Sequence, residues 1–266
     1  MIVITGPGRS GTSFLARLYQ ELGFSPIVGG GGWDDAIQGG LEDIEIGTLN
    51  GRLIADLGMR SKVWRLASAT RRLGLGTTSR ESSGVAGKNA PRRQAAVDAP
   101  LIKRAATQFA AKTFGRHIRQ QRWARIPAVV ERHGAQMRSL AASRVVVKDP
   151  GFCQTLRLWV LAGAEIDHVI VSIRSVDATV AGLLRLGALP GWSRGVAENE
   201  VAYRLGLLLA AIWDHRLSHS VIRFPDYLEE RESLYDALRF PEPVNRDRFR
   251  SVFESLRRPE LVSSWK

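Results

Sequence analysis

The sequence predicts an α/β fold: a parallel sheet flanked by helices in three layers. Three observations carry this. Short β-branched runs alternate with helical patterns along the chain. The valine run at 145–147 is continuously apolar, as a strand buried on both faces is. A glycine-rich turn joins the first strand directly to the first helix.

Taken in order, Ile2–Thr5 reads as a strand, Gly6, Gly8 and Gly11 as a turn, and an amphipathic helix begins near Thr12. The four glycines at 29–32 predict a loop. Apolar residues at Ile44, Ile46, Leu49, Leu53, Ile54 and Leu57 predict a helix within 41–58. Residues 60–73 continue as a basic helix, 74–100 read as a loop or partly disordered insertion, and 101–121 and 127–142 read as helices. Strands are expected at 144–148, 167–173 and 220–224. Helices are expected at 155–162, 176–186, 199–216, 228–238 and 246–256. The whole is read as one domain over 1–266, with 60–143 a variable, mostly helical insertion.

At 266 residues the chain can bury a full core. It has no apolar run of about 18 residues, so no transmembrane helix is expected. Met1 leads straight into a strand, so no signal segment is expected either. A single cysteine, Cys153, excludes an internal disulfide framework. Together these predict a cytoplasmic protein. The formal net charge of +12 is uneven: about half of all Lys and Arg lie between Arg60 and Arg144. Such a balance favours anionic partners, and no recognised DNA- or RNA-binding module accompanies it.

The glycine turn is the most informative stretch. Strand, glycine loop and helix start together form a phosphate cradle, because backbone N–H groups turn inward and the helix N-terminus adds partial positive charge. Gly6, Gly11 and Ser13 fit the spacing of an ATP-binding loop, but Thr12 stands where that loop has its lysine. The only cation inside the loop is Arg9.

Gly8-Arg9-Ser10-Gly11-Thr12-Ser13 resembles the 5′-phosphosulfate loop of the sulfotransferases, whose donor is 3′-phosphoadenosine 5′-phosphosulfate (PAPS). The bacterial branch is also resembled at Val145-Val146-Val147-Lys148-Asp149-Pro150 and at 169–177, the segment of the family's 3′-phosphate contact. A weaker echo lies at 221–228. The likeness covers 1–58 and 144–240 and is poor over 60–143. It implies a P-loop-type fold, PAPS as donor, its desulfated product PAP, and no required metal.

The resemblance also implies roles. Arg9 would bind the 5′-phosphate and the transferring sulfuryl oxygens, with Gly8, Ser10, Gly11, Thr12 and Ser13 supplying donors. Arg174 would hold the 3′-phosphate. The family places a serine eight positions later, where this chain has Gly182, so Thr179 or Arg185 are alternative contributors. Glu42 is the expected general base, with Glu45 next, although Leu41 replaces the aromatic residue the family has before it. Lys148 is assigned to the active site and Asp149 mainly to structure; His117 and His133 are minor candidates for the base. The expected function is sulfuryl transfer to a hydroxyl or amine of an acceptor whose pocket 60–143 shapes, its Arg-rich makeup favouring an anionic one. Two rivals stand beside it. Lys148-Asp149 after a valine strand also suits an ATP-dependent kinase. A nucleotide- or polyanion-binding protein without turnover is the other.

Overall fold

A computed structural model describes residues 1–24, 41–59, 123–185 and 193–257. The chain divides into two compact units, residues 1–56 with 127–266 and residues 57–126. The expected features at 29–32, 60–121 and the tail from 258 lie outside the described residues. The first unit holds every element discussed below.

Among the described residues its sheet has four strands, all parallel: β1 (Ile2–Thr5), β2 (Val146–Lys148), β3 (His168–Ile173) and β4 (His219–Arg223), in spatial order β2-β1-β3-β4. The described helices are α1 (Thr12–Glu21), α2 (Ile44–Asp56), α3 over 123–142, of which 127–142 belong to this unit, α4 (Phe152–Leu161), α5 (Val176–Arg185), α6 (Arg194–Asp214), α7 (Arg231–Ala237) and α8 (Arg246–Leu256). The expected α/β class is thus present, with helices flanking a parallel sheet and an arrangement compatible with three layers. Among the described residues no helix is long and apolar enough to cross a membrane.

Side-chain alternation explains why both faces are covered. Ile2, Ile4, Val146, Ile170 and Ile222 join one buried cluster with Leu15 and Leu18 of α1 and Phe249 and Phe253 of α8. The alternate residues Val3, Val147, Val169 and Val171 are equally buried. On that side the Thr5 hydroxyl donates to the Asp149 carbonyl at 3.0 Å and lies 3.6 Å from Cys153 Sγ on α4. Cys153 is buried and packs as a small apolar residue.

Several boundaries differ from the sequence expectation, each for a local reason. β2 begins at Val146, because the Arg144 side chain turns away to Asp43 at 2.6 Å. α2 begins at Ile44, where Asp43 caps it by accepting from the N–H groups of Glu45 and Ile46. α4 starts at Phe152 rather than Thr155, since Phe152 and Cys153 are already needed in the core. α6 starts at Arg194, ahead of 199, and an Arg194–Glu198 pair at 2.8 Å supports its exposed first turn. The segment expected as a helix from 228 is a 3-10 turn (Asp226–Leu228) followed by α7.

A buried polar joint ties α2 to α4. Asn50 Oδ1 accepts from Thr155 Oγ1 at 2.7 Å and from Trp159 Nε1 at 2.9 Å. Trp159 is fully buried, so its N–H has no water to turn to. Replacing Asn50 with Ala leaves that donor unsatisfied. The expected cost is about 2 to 3 kcal/mol, read as a lower urea midpoint at unchanged slope; an unchanged midpoint would remove Asn50 from this role.

Candidate functional site

In a parallel sheet, ligands bind outside the carboxyl ends of the strands, where neighbouring connections run in opposite directions. Here β1 connects to β2 on one side and β3 to β4 on the other, so that point falls between β1 and β3. Residues 6–11 follow β1 and occupy it.

The loop is forced to be tight. A β-carbon on Gly6 would collide with the Ser172 carbonyl of β3 and with the Ser10 hydroxyl. One on Gly11 would collide with the Tyr227 hydroxyl and the Phe224 ring. Gly8, Arg9 and Gly11 all take positive φ, 92°, 54° and 85°. Arg9 is the unusual member, since left-handed backbone disfavours a side chain. The Ser172 hydroxyl donates to the Ser10 carbonyl, and the Tyr227 hydroxyl donates to the Gly11 carbonyl at 3.0 Å. Burial pushes the Tyr227 phenol well above its usual range, so it stays a donor. With carbonyls pinned from behind, such a turn presents backbone N–H groups outward as an anion-binding nest. It opens directly into α1, whose N-cap Gly11 has no side-chain capping bond and whose first turn has no acidic residue.

Cations gather on the β3 side of this loop. Arg174 follows β3, with its guanidinium 5.4 Å from the centre of the Phe224 ring. Burial, then the nearby charges of Arg9 and Arg185, lowers its pKa. Burial, then Arg185, lowers that of Arg9. Gly182 is on the same ground: its α-carbon faces the Cβ and Cγ of Arg9. The Thr179 hydroxyl is buried one turn before it and makes no hydrogen bond among the described residues.

The other flank is the end of β2. Lys148 pairs with Ile4 in the sheet register, so it stands beside the start of the loop. Its ammonium is buried and donates to Glu42 Oε1 at 2.8 Å, while Glu42 is about half exposed. Asp43 and Glu45 are engaged by Arg144, which leaves Glu42 as the carboxylate directed to the β2 end. Asp149 is enclosed. Its Oδ1 accepts from the Gly151 N–H, and its pKa is pushed up to about 6, mainly by burial and also by Glu42.

The residues singled out in the sequence therefore fall into two groups at one sheet edge: Gly8 to Ser13 with Arg174 and Gly182, and Lys148 with Glu42. His133 is elsewhere. Its Nε2 lies 2.9 Å from Asp56 Oδ2, at the far end of α2, about 18 Å along the helix from its start. His117 lies outside the described residues. Sequence reasoning gave Ser172 and Tyr227 no role, because their contacts to the loop depend on chain packing and not on spacing. Comparison with family models, with curated proteins and with solved structures returned no match.

Asp149 makes a pH test available. Its folded-state pKa is raised from 3.8 to about 6, so folding binds a proton that the unfolded chain has released between those values. Its contribution is therefore most favourable below about pH 4 and is lost as pH rises toward 6, on the order of 2 to 3 kcal/mol in all. Asp149→Asn is expected to lose less stability between pH 4 and pH 7 than the parent in urea unfolding. Equal losses would show that Asp149 is not the group responsible.

Proposed function

We propose that this chain is a sulfotransferase that moves a sulfuryl group from PAPS to a hydroxyl or amine of an acceptor. The observation that carries the reading is the tight glycine loop at the switch between β1 and β3, with the Arg9 stem laid against Gly182 and Arg174 following β3 beside Phe224. A donor with separate anionic groups at its 3′ and 5′ positions matches that layout: N–H groups and hydroxyls of residues 8–13 for the 5′-phosphosulfate, and Arg174 for the 3′-phosphate. Thr12 in the lysine position argues against the usual nucleoside-triphosphate loop.

In the proposed reaction the acceptor oxygen or nitrogen forms a bond to sulfur as the bond from sulfur to the bridging oxygen breaks. That oxygen keeps the electron pair and leaves as part of PAP. The loop N–H groups and the Lys148 ammonium are the groups able to stabilise the growing charge. The acceptor proton passes to a carboxylate, and Glu42 is the one within reach of this end of the sheet. Lys148 holds the Glu42 carboxylate in place at this end of the sheet.

Calorimetry with PAP in the absence of metal tests the donor site. Binding is expected, weakened by roughly 10- to 100-fold in Arg174→Ala. A preference for ATP with Mg²⁺ over PAP would replace this reading with the kinase. Intact PAP binding with no transfer to any of a broad panel of hydroxyl and amine acceptors would favour the binding protein without turnover.

A further inference from the structure

The helix α5 carries a glycine where the resemblance calls for a serine, and glycine inside a helix costs stability. Gly182 is nevertheless buried in the second half of that helix. A β-carbon built on it would stand 3.2 Å from Arg9 Cβ and 3.3 Å from Arg9 Cγ, tighter than side chains ordinarily pack. The Arg9 stem therefore crosses α5 at a residue that offers it room. The positive φ of Arg9 belongs to the same arrangement, since it directs this side chain off the loop and onto the helix. One turn further along α5 from the Arg9 contact stands Arg185, the last residue of the helix.

Resting on the PAPS reading above, we infer that Arg9 and Arg185 join Arg174 on the 3′-phosphate of the donor, and that Gly182 is the gap that admits Arg9 to that group. The absent serine is then replaced rather than lost: a neutral hydroxyl gives way to a guanidinium that arrives from the loop across the position the side chain would have filled. Arg9 is thereby moved from the sulfuryl group to the 3′ side. The 5′-phosphosulfate is left to the backbone nest and to Lys148. Three guanidiniums suit a phosphate monoester dianion, with its three terminal oxygens, better than the 5′-phosphoryl centre of the phosphosulfate anhydride, which has two terminal oxygens and a single charge. An Arg in the last turn of a helix also complements the helix dipole. That alternative predicts an effect on stability and none on ligand choice, so the two are separable.

The experiment is calorimetric titration of the full chain with PAP and with adenosine 5′-monophosphate, which lacks only the 3′-phosphate. The readout is the ratio of the two dissociation constants. Arg185 is exposed, so Arg185→Gln is expected to fold normally. It is expected to reduce the ratio about tenfold or more, with adenosine 5′-monophosphate affinity changed less than about threefold. Arg9→Gln and Gly182→Ser are expected to shift the ratio in the same direction, Gly182→Ser by displacing Arg9. A ratio unchanged in Arg185→Gln, or an Arg9→Gln variant that weakens both ligands alike, would overturn the inference. A wild-type ratio near one would instead overturn the PAPS reading itself.

Discussion

The approach of the Gly6 backbone to the Ser172 carbonyl fixes the geometry of the sheet's carboxyl edge. Because no β-carbon fits there, the loop after β1 lies directly on the end of β3. The Ser172 hydroxyl and the Tyr227 hydroxyl then bind the loop carbonyls of Ser10 and Gly11 from below. A peptide group whose carbonyl is held inward turns its N–H outward. The nest is thus a consequence of packing between two strands and the turn after β4. It needs no ligand to organise it. Any residue larger than glycine at position 6 or 11 would lift the loop and lose the nest and the Arg9 placement together.

Charge is distributed around that loop with a clear division. Arginines converge on the β3 side, and the Lys148–Glu42 pair occupies the β2 side. Burial, and after it the neighbouring guanidinium charge, lowers the pKa of Arg9 and of Arg174. The strand β1, fully buried and hydrogen-bonded on both sides, holds the two groups at a set separation.

Much of this was legible in the sequence. The strand–glycine–helix start gave β1, the turn and α1 at their observed places, because strong local patterns and a short loop leave few alternatives. The valine run gave β2 within two residues, and Lys148 and Arg174 do reach the sheet's carboxyl edge. What spacing could not show was which side chains cross between elements. The pairing of Lys148 with Glu42 joins residues 106 apart. The Arg9–Gly182 contact depends on how α5 lies against the loop. His133, a plausible proton acceptor by residue type alone, is carried by α3 to the wrong end of α2. The start of α4 was misplaced because a core residue, Phe152, rather than apolar period, decided the boundary.

Two carboxylates near the end of β2 illustrate how environment can divide roles between chemically similar groups. Asp149 is enclosed, bonded to the Gly151 N–H, and holds its proton up to about pH 6. Glu42 is half exposed and faces a buried ammonium. A group that must collect a proton from an arriving acceptor has to be accessible, and Glu42 meets that condition where Asp149 does not. A metal-binding aspartate, as a kinase would require after this strand, must in turn be ionised and open toward the loop. Burial works against the second at Asp149, which is enclosed. Of the two carboxylates, Asp149 is thus the one built into the frame at the end of β2, and Glu42 the one at its surface.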